Sequence, residues 1–241
     1  MDNQLLIGCS AYNNLQWTGI FFPEDIPRSR WFEYYAGHFQ TYEINSSFYK
    51  FPTAKSLNMW YRKSPDGYLF SVKAPKYITH NKRFQDCSQQ MEDFYNACRD
   101  GLGEKLACTL FQLPPNFAYD PEKLELIIES LDYTFRNVIE FRNESWWRPE
   151  VFDMLREKNI AFCSVSYPML PDDVIQTNDI LYIRLHGDER LFYSGYDNER
   201  MERLFHRIRN HSFSQAFIYF NNTAGTEGIL NALKMKSFLE K

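Results

Sequence analysis

The sequence predicts an α/β fold, a single (β/α)8 TIM-type barrel. Three observations predict it: eight apolar runs of strand length, helical patterns between nearly all of them, and polar residues gathered where the strands end. Strands buried on both faces under crossover helices read as continuous apolar runs. An open doubly wound sheet would show the same runs, but it would be expected to carry a glycine-rich phosphate loop after the first strand. Here Gly8-Cys9-Ser10-Ala11-Tyr12 lacks GxGxxG, and no Walker motif occurs anywhere. The chain has 241 residues, and α/β barrels of about 200–250 residues commonly form one domain. Without internal repeats, low-complexity tracts or linkers, residues 1–241 are expected to be that domain.

The elements follow in order. Strands are predicted at Leu5–Cys9, Thr41–Asn45, Leu69–Lys73, Ala107–Leu113, Asn137–Arg142, Ile160–Val165, Ile180–His186 and Ala216–Asn221. Helical periodicity fills Arg30–His38, Ala54–Lys63, Gln89–Gly103, Pro121–Asp132, Pro149–Lys158, Glu199–Asn210 and Ala224–Glu240. Thr53 and Asp120 stand where N-caps belong, Pro121 suits a first turn, and Gly101 and Gly103 mark a stop. After strand six, Pro168-Met169-Leu170-Pro171-Asp172-Asp173 breaks any helix, so that crossover is expected to be degenerate, with at most a turn or two at Val174–Thr177. Long excursions after strands one, three and seven would roof the carboxyl-terminal mouth, where barrels of this type keep their sites.

Composition narrows the function classes. A formal net charge of -4 gives no electrostatic reason to expect affinity for nucleic acid or an acidic membrane. The five cysteines form no CxxC pair, and three lie within strand runs, so they read as reduced, structural thiols. No run approaches the roughly 20 apolar residues of a membrane span, and the first residues lack a basic start and an apolar stretch. The expected location is the cytoplasm, with no membrane partner.

Four strands close on a polar–apolar–polar triplet: Glu43-Ile44-Asn45, Glu140-Phe141-Arg142, Arg184-Leu185-His186 and Tyr219-Phe220-Asn221. Side chains alternate along a strand, so the polar members of each triplet share a face. Two further strands end at Lys73 and Gln112. Buried ionisable groups are costly unless paired, and a mouth that collects them is a candidate site. Glu43 and Glu140 are the candidate acid and base, because two carboxylates in different environments can be split in pKa; Lys73 and Arg184 are candidate charge stabilisers. The competing reading is a structural ion-pair network. Counting Arg142, the mouth leans positive, which suits a small polar or anionic molecule such as a phosphate, carboxylate or sugar. If Arg142 turns outward, the sum is zero.

Asn221 and Asn222, followed by Thr223-Ala224-Gly225, stand at the usual phosphate corner of such barrels. Among the many loop aromatics, Trp146 and Tyr196 are the expected ligand contacts. Asn45, His80, Gln112, Arg142 and His186 complete the expected binding set. Metal binding has weak support, since no HxH or HExxH spacing occurs, and no metal ligand is assigned. Neither Ser10 nor Cys9 has a base indicated by sequence, and no GxSxG elbow is present.

These triplets and their neighbours resemble the DUF72 (YecE-like) family. The resemblance rests on Gly8-Cys9-Ser10, Trp17-Thr18-Gly19-Ile20-Phe21-Phe22-Pro23, Tyr42-Glu43-Ile44-Asn45-Ser46-Ser47-Phe48-Tyr49-Lys50-Phe51-Pro52, Trp60 and Phe70-Ser71-Val72-Lys73-Ala74-Pro75. It continues through Ile78-Thr79-His80, Phe111-Gln112-Leu113-Pro114-Pro115, Glu140-Phe141-Arg142 with Trp146, Tyr182-Ile183-Arg184-Leu185-His186-Gly187 and Tyr219-Phe220-Asn221-Asn222. The resemblance implies a TIM-type barrel and no settled activity or cofactor. Where the family often shows Gly-Trp after the first Gly-x-Ser, this chain has Ala11-Tyr12; where it often shows Asp near the end of strand six, this chain has Ser164-Val165-Ser166. The function expected is acid/base chemistry on a small polar or anionic substrate. Nucleic-acid binding, nuclease-like action and a non-catalytic ligand-binding barrel stand as alternatives.

Overall fold

The computed structural model describes residues 3–187 and 189–239. Eight parallel strands, β1 (Gln4–Cys9), β2 (Thr41–Ile44), β3 (Leu69–Lys73), β4 (Leu106–Gln112), β5 (Asn137–Glu140), β6 (Ala161–Ser166), β7 (Ile180–Leu185) and β8 (Gln215–Phe220), are hydrogen-bonded in the order β1-β8-β7-β6-β5-β4-β3-β2. The sheet curls into a nearly closed (β/α)8 barrel. Its helices are α1 (Trp31–His38), α2 (Ser46–Tyr49), α3 (Ala54–Lys63), α4 (Ser88–Leu102), α5 (Pro121–Glu129), α6 (Pro149–Glu157), α7 (Asn198–Arg209) and α8 (Glu227–Ser237).

The seam between β1 and β2 is closed by a side chain. The Cys9 N–H donates to the Tyr35 hydroxyl at 2.6 Å, and that hydroxyl donates to the Thr41 carbonyl at 3.3 Å. A tyrosine from α1 thus carries a bond that a ladder would otherwise make. Gly8 permits the approach, since a Cβ there would stand 2.4 Å from the Thr41 carbonyl oxygen.

Thr53 accepts from the Ser56 amide in a full capping box, and Asp120 accepts from the Glu122 amide with Pro121 in the first turn. Among the described residues no helix spans β6 and β7, not even the turn considered at Val174–Thr177. The strap between them instead borrows side-chain bonds: the Thr177 hydroxyl donates to the Ile160 carbonyl at 2.6 Å and accepts from the Phe162 amide at 2.8 Å, while Ser164 accepts from the Ile175 amide at 2.9 Å. Helix α8 starts at Glu227 rather than Ala224, and its expected end at Glu240 lies outside the described residues.

Two apolar layers hold the barrel. Inside it, Leu6, Leu110, Val138, Ala161, Cys163, Val165, Ile180 and Phe217 pack around Tyr182 and Tyr219. Outside it, a larger layer from Ile7, Phe70, Phe111, Ile139, Leu181 and Ile218 meets the helices. Fully burying such a side chain contributes about 1.5–3 kcal/mol. The five cysteines are all buried and unpaired. No helix among the described residues is long and apolar enough to cross a membrane.

Candidate functional site

Above the inner apolar layer the barrel turns polar. Tyr219 shares hydrogen bonds with Thr41 at 2.6 Å and Ser71 at 3.0 Å, and the Tyr182 hydroxyl donates to Glu43 Oε2 at 2.7 Å. Directly on this layer lies Arg184, 1% exposed. Its Nε donates to Glu43 Oε2 at 3.0 Å, and one terminal nitrogen donates to Glu43 Oε1 at 2.7 Å and to Asn221 Oδ1 at 2.6 Å. The other terminal nitrogen pairs with Glu140. Glu140 also accepts from Arg142, whose guanidinium donates to His186 Nε2 at 2.8 Å and lies 4.1 Å from the centroid of the Tyr167 ring.

The two glutamates therefore carry a buried network across the barrel. Burial by itself would raise the Glu140 carboxyl, but Arg142 and Arg184 outweigh it and hold that group well below the usual carboxylate range. Arg142 turns inward to Glu140 and does not leave the mouth. His186 is kept neutral by burial and then by Arg142, with Nε2 as acceptor. Its proton then belongs on Nδ1, which has no hydrogen-bond partner among the described residues. Asn45 Oδ1 is likewise buried without a partner.

A cavity of about 430 Å³ opens over this network, lined by Asn45, Phe48, Tyr49, Lys73, His80, Gln112, Arg142, Tyr167, Arg184, His186, Phe192, Asn221 and others. Glu43 and Glu140 do not line it; Arg184 stands between them and the opening. Lys73, at the end of β3, sends its ammonium to 4.0 Å from the Phe48 ring centroid, with no carboxylate partner among the described residues. Burial, and then the Arg184 charge, lower its pKa to about 7. His80 lines the same wall, bonded through Nδ1 to Thr79 at 2.9 Å and edge-on to Phe48; burial and Lys73 lower it to about 4.

Three expected contacts lie elsewhere. Trp146 is fully buried, stacked 4.2 Å from Phe141, with its indole N–H on the Phe117 carbonyl at 2.6 Å; it wedges a loop onto the barrel wall. Tyr196 accepts the Gly187 N–H at 2.8 Å and faces a separate groove with Ser166 and Arg200. Asn222 donates to the Ser194 carbonyl at 3.0 Å and ties two loops together. Residues the sequence reading passed over are Tyr167, one position beyond β6, and Tyr182, whose hydroxyl orients Glu43. Alternation from Cys163 and Val165, which pack inside the barrel, is the signal that places Tyr167 on the cavity side, out of phase with Ser164 and Ser166. Among the described residues no group of His, Cys, Asp and Glu is placed to hold a metal ion.

The fold and site define a TIM-type barrel whose mouth is built on a glutamate–arginine network. The model of the family described as "Protein of unknown function DUF72" matches residues 6–241, and the chain belongs to that family. The UPF0759 protein YunF of Bacillus subtilis (strain 168) is 22% identical, covering 91% of this chain and 90% of that protein. The crystal structure of a DUF72 family protein from Thermotoga maritima MSB8 superposes with a TM-score of 0.90 at 28% identity, covering 99% of this chain and 100% of that one. A DUF72 family protein from Enterococcus faecalis V583 gives a TM-score of 0.87 at 18% identity over 99% of this chain and 96% of that one, a likeness of fold.

Proposed function

We propose that this protein is an enzyme that binds a small anionic substrate in the barrel mouth and moves a proton at Lys73 Nζ. The observation that carries the reading is the Lys73 amine: it is buried, opens on the cavity and has no carboxylate partner among the described residues, while the nearby carboxylates are consumed by arginines. An amine with a pKa of about 7 is present in both protonation states at neutral pH, which suits general acid–base work. Arg142 and Arg184 place guanidinium groups on the cavity wall, their charges balanced by Glu140 and Glu43, and His186 and Asn45 line the same cavity with Nδ1–H and Oδ1 buried and without hydrogen-bond partners among the described residues. Glu43 and Glu140, expected as the acid and base, hold the arginines in place here.

The test is inorganic phosphate binding, followed by calorimetry from pH 6 to 8.5 at constant ionic strength. Lys73 is charged below its pKa, so affinity is expected to fall as pH rises through about 7, beyond the change due to phosphate ionisation. Lys73→Met is expected to weaken binding and flatten that extra dependence. Equal binding by wild type and Lys73→Met at every pH would defeat the reading. A non-catalytic ligand-binding barrel is the second reading, favoured by the closed Glu43–Arg184–Glu140 network; it predicts binding with no turnover of any anion bound.

A further inference from the structure

Two large aromatic side chains stand at the cavity with most or nearly half of their surface in solvent: Tyr49 is 85% exposed and Phe192 is 45% exposed. Each is one residue removed from a cation. The Tyr49 ring meets the Phe48 ring edge-on at 5.1 Å, and Phe48 carries the Lys73 ammonium on its face at 4.0 Å. On the other side Phe192 meets the His186 ring at 5.9 Å, and His186 is bonded to Arg142.

Phe192 also has an unfavourable backbone. Its φ is +68°, a left-handed conformation that a bulky side chain rarely adopts. Two hydrogen bonds hold it there: its N–H donates to the His186 carbonyl at 2.6 Å, and its carbonyl accepts from the Ala224 N–H at 3.0 Å. Of the other bulky left-handed residues, Phe84 is buried in the core and Met169 is exposed but does not line the cavity, whereas Phe192 lines it. Core packing does not account for a half-exposed phenyl ring at the cavity. A stacking surface for a ligand does, since aromatic faces bind flat rings with little sequence or substituent preference.

We propose that the substrate is an anion carried on a flat ring, with its phosphate or carboxylate on Lys73 and Arg142 and its ring against Tyr49 or Phe192. This rests on the anion-binding reading above and adds the substrate class. The cavity, about 430 Å³, falls in the range of about 300–1,000 Å³ typical of small-molecule sites.

The test is calorimetry on the full chain with two matched pairs: adenosine 5′-monophosphate against ribose 5-phosphate, and benzoate against acetate. The ring-bearing member of at least one pair is expected to bind about tenfold more tightly, the size of one aromatic stack. The pair that shows the gap identifies phosphate or carboxylate as the anion. Phe192→Asn or Tyr49→Ala should narrow that gap by weakening the ring-bearing member more than its ringless partner. Asparagine tolerates the left-handed conformation, so Phe192→Asn is expected to keep its melting temperature. If the members of each pair bind equally in the wild type, the ring proposal fails while the anion reading survives. If no anion binds, both fail. An undiminished gap in both variants also overturns the proposal.

Discussion

Among the described residues Arg184 is the one side chain that pairs with both Glu43 and Glu140, each fully buried, and replacing it by methionine removes that shared partner. The variant keeps most of the side-chain volume but leaves two carboxylates without their shared cation. Arg142 still reaches Glu140, so Glu43 suffers most, retaining among the described residues the Tyr182 hydroxyl at 2.7 Å. Breaking a buried pair from one side costs about 3–5 kcal/mol, which for a chain of this size is roughly 6–20 °C in melting temperature. The sign of the pH dependence follows from the glutamates. In the wild type Glu140 is depressed, so its contribution is present above its unfolded pKa and is lost as pH falls through its folded pKa. In Arg184→Met the Glu140 carboxyl loses one of the two guanidinium charges that hold it down, so the deficit is expected to be larger at pH 7 than at about pH 3.5, below the unfolded carboxyl pKa. Urea unfolding at the two pH values, with midpoint and slope both measured, reads this directly. A loss under about 1 kcal/mol at pH 7, or an equal loss at both pH values, would refute the claim that this arginine neutralises the pair.

Two further predictions concern closure of the barrel. Tyr35→Phe strands the Cys9 amide at the β1–β2 seam and is expected to cost about 1–3 kcal/mol; hydrogen exchange should quicken at Cys9 more than at the other β1 amides, and uniform protection would contradict the bridging role. Thr177→Val removes the hydroxyl that serves both the Phe162 amide and the Ile160 carbonyl and is expected to cost a similar amount; a urea midpoint equal to that of the wild type would show that the helix-free strap is held in another way.

Much of the barrel was readable because strand runs and helix caps are local. Thr53 and Asp120 cap as their neighbours imply, and the polar ends of β2, β3, β4, β5, β7 and β8 converge because alternation and parallel pairing leave them no other place. What escaped depends on partners far apart in the chain. Glu43 and Arg184 are separated by 141 residues, and whether a carboxylate meets substrate or arginine is decided by reach across the barrel, which no spacing encodes. The same holds for Trp146 and Tyr196: an aromatic in a loop after a strand reads alike whether it faces the cavity or pins the loop. Lys73 is visible in the sequence as a strand-end cation, but that it has no carboxylate partner among the described residues emerges only once both glutamates are seen to be paired with arginines.

Titration of the Lys73 amine by nuclear magnetic resonance, with Lys73→Arg used to assign the signal, tests its proton-carrying role most directly. A transition near pH 7 is expected, lowered by burial and then by the neighbouring Arg184 charge, and it should shift upward when inorganic phosphate is added. An amine that stays protonated beyond pH 10 with and without phosphate, as an ordinary solvated lysine does, would contradict that role.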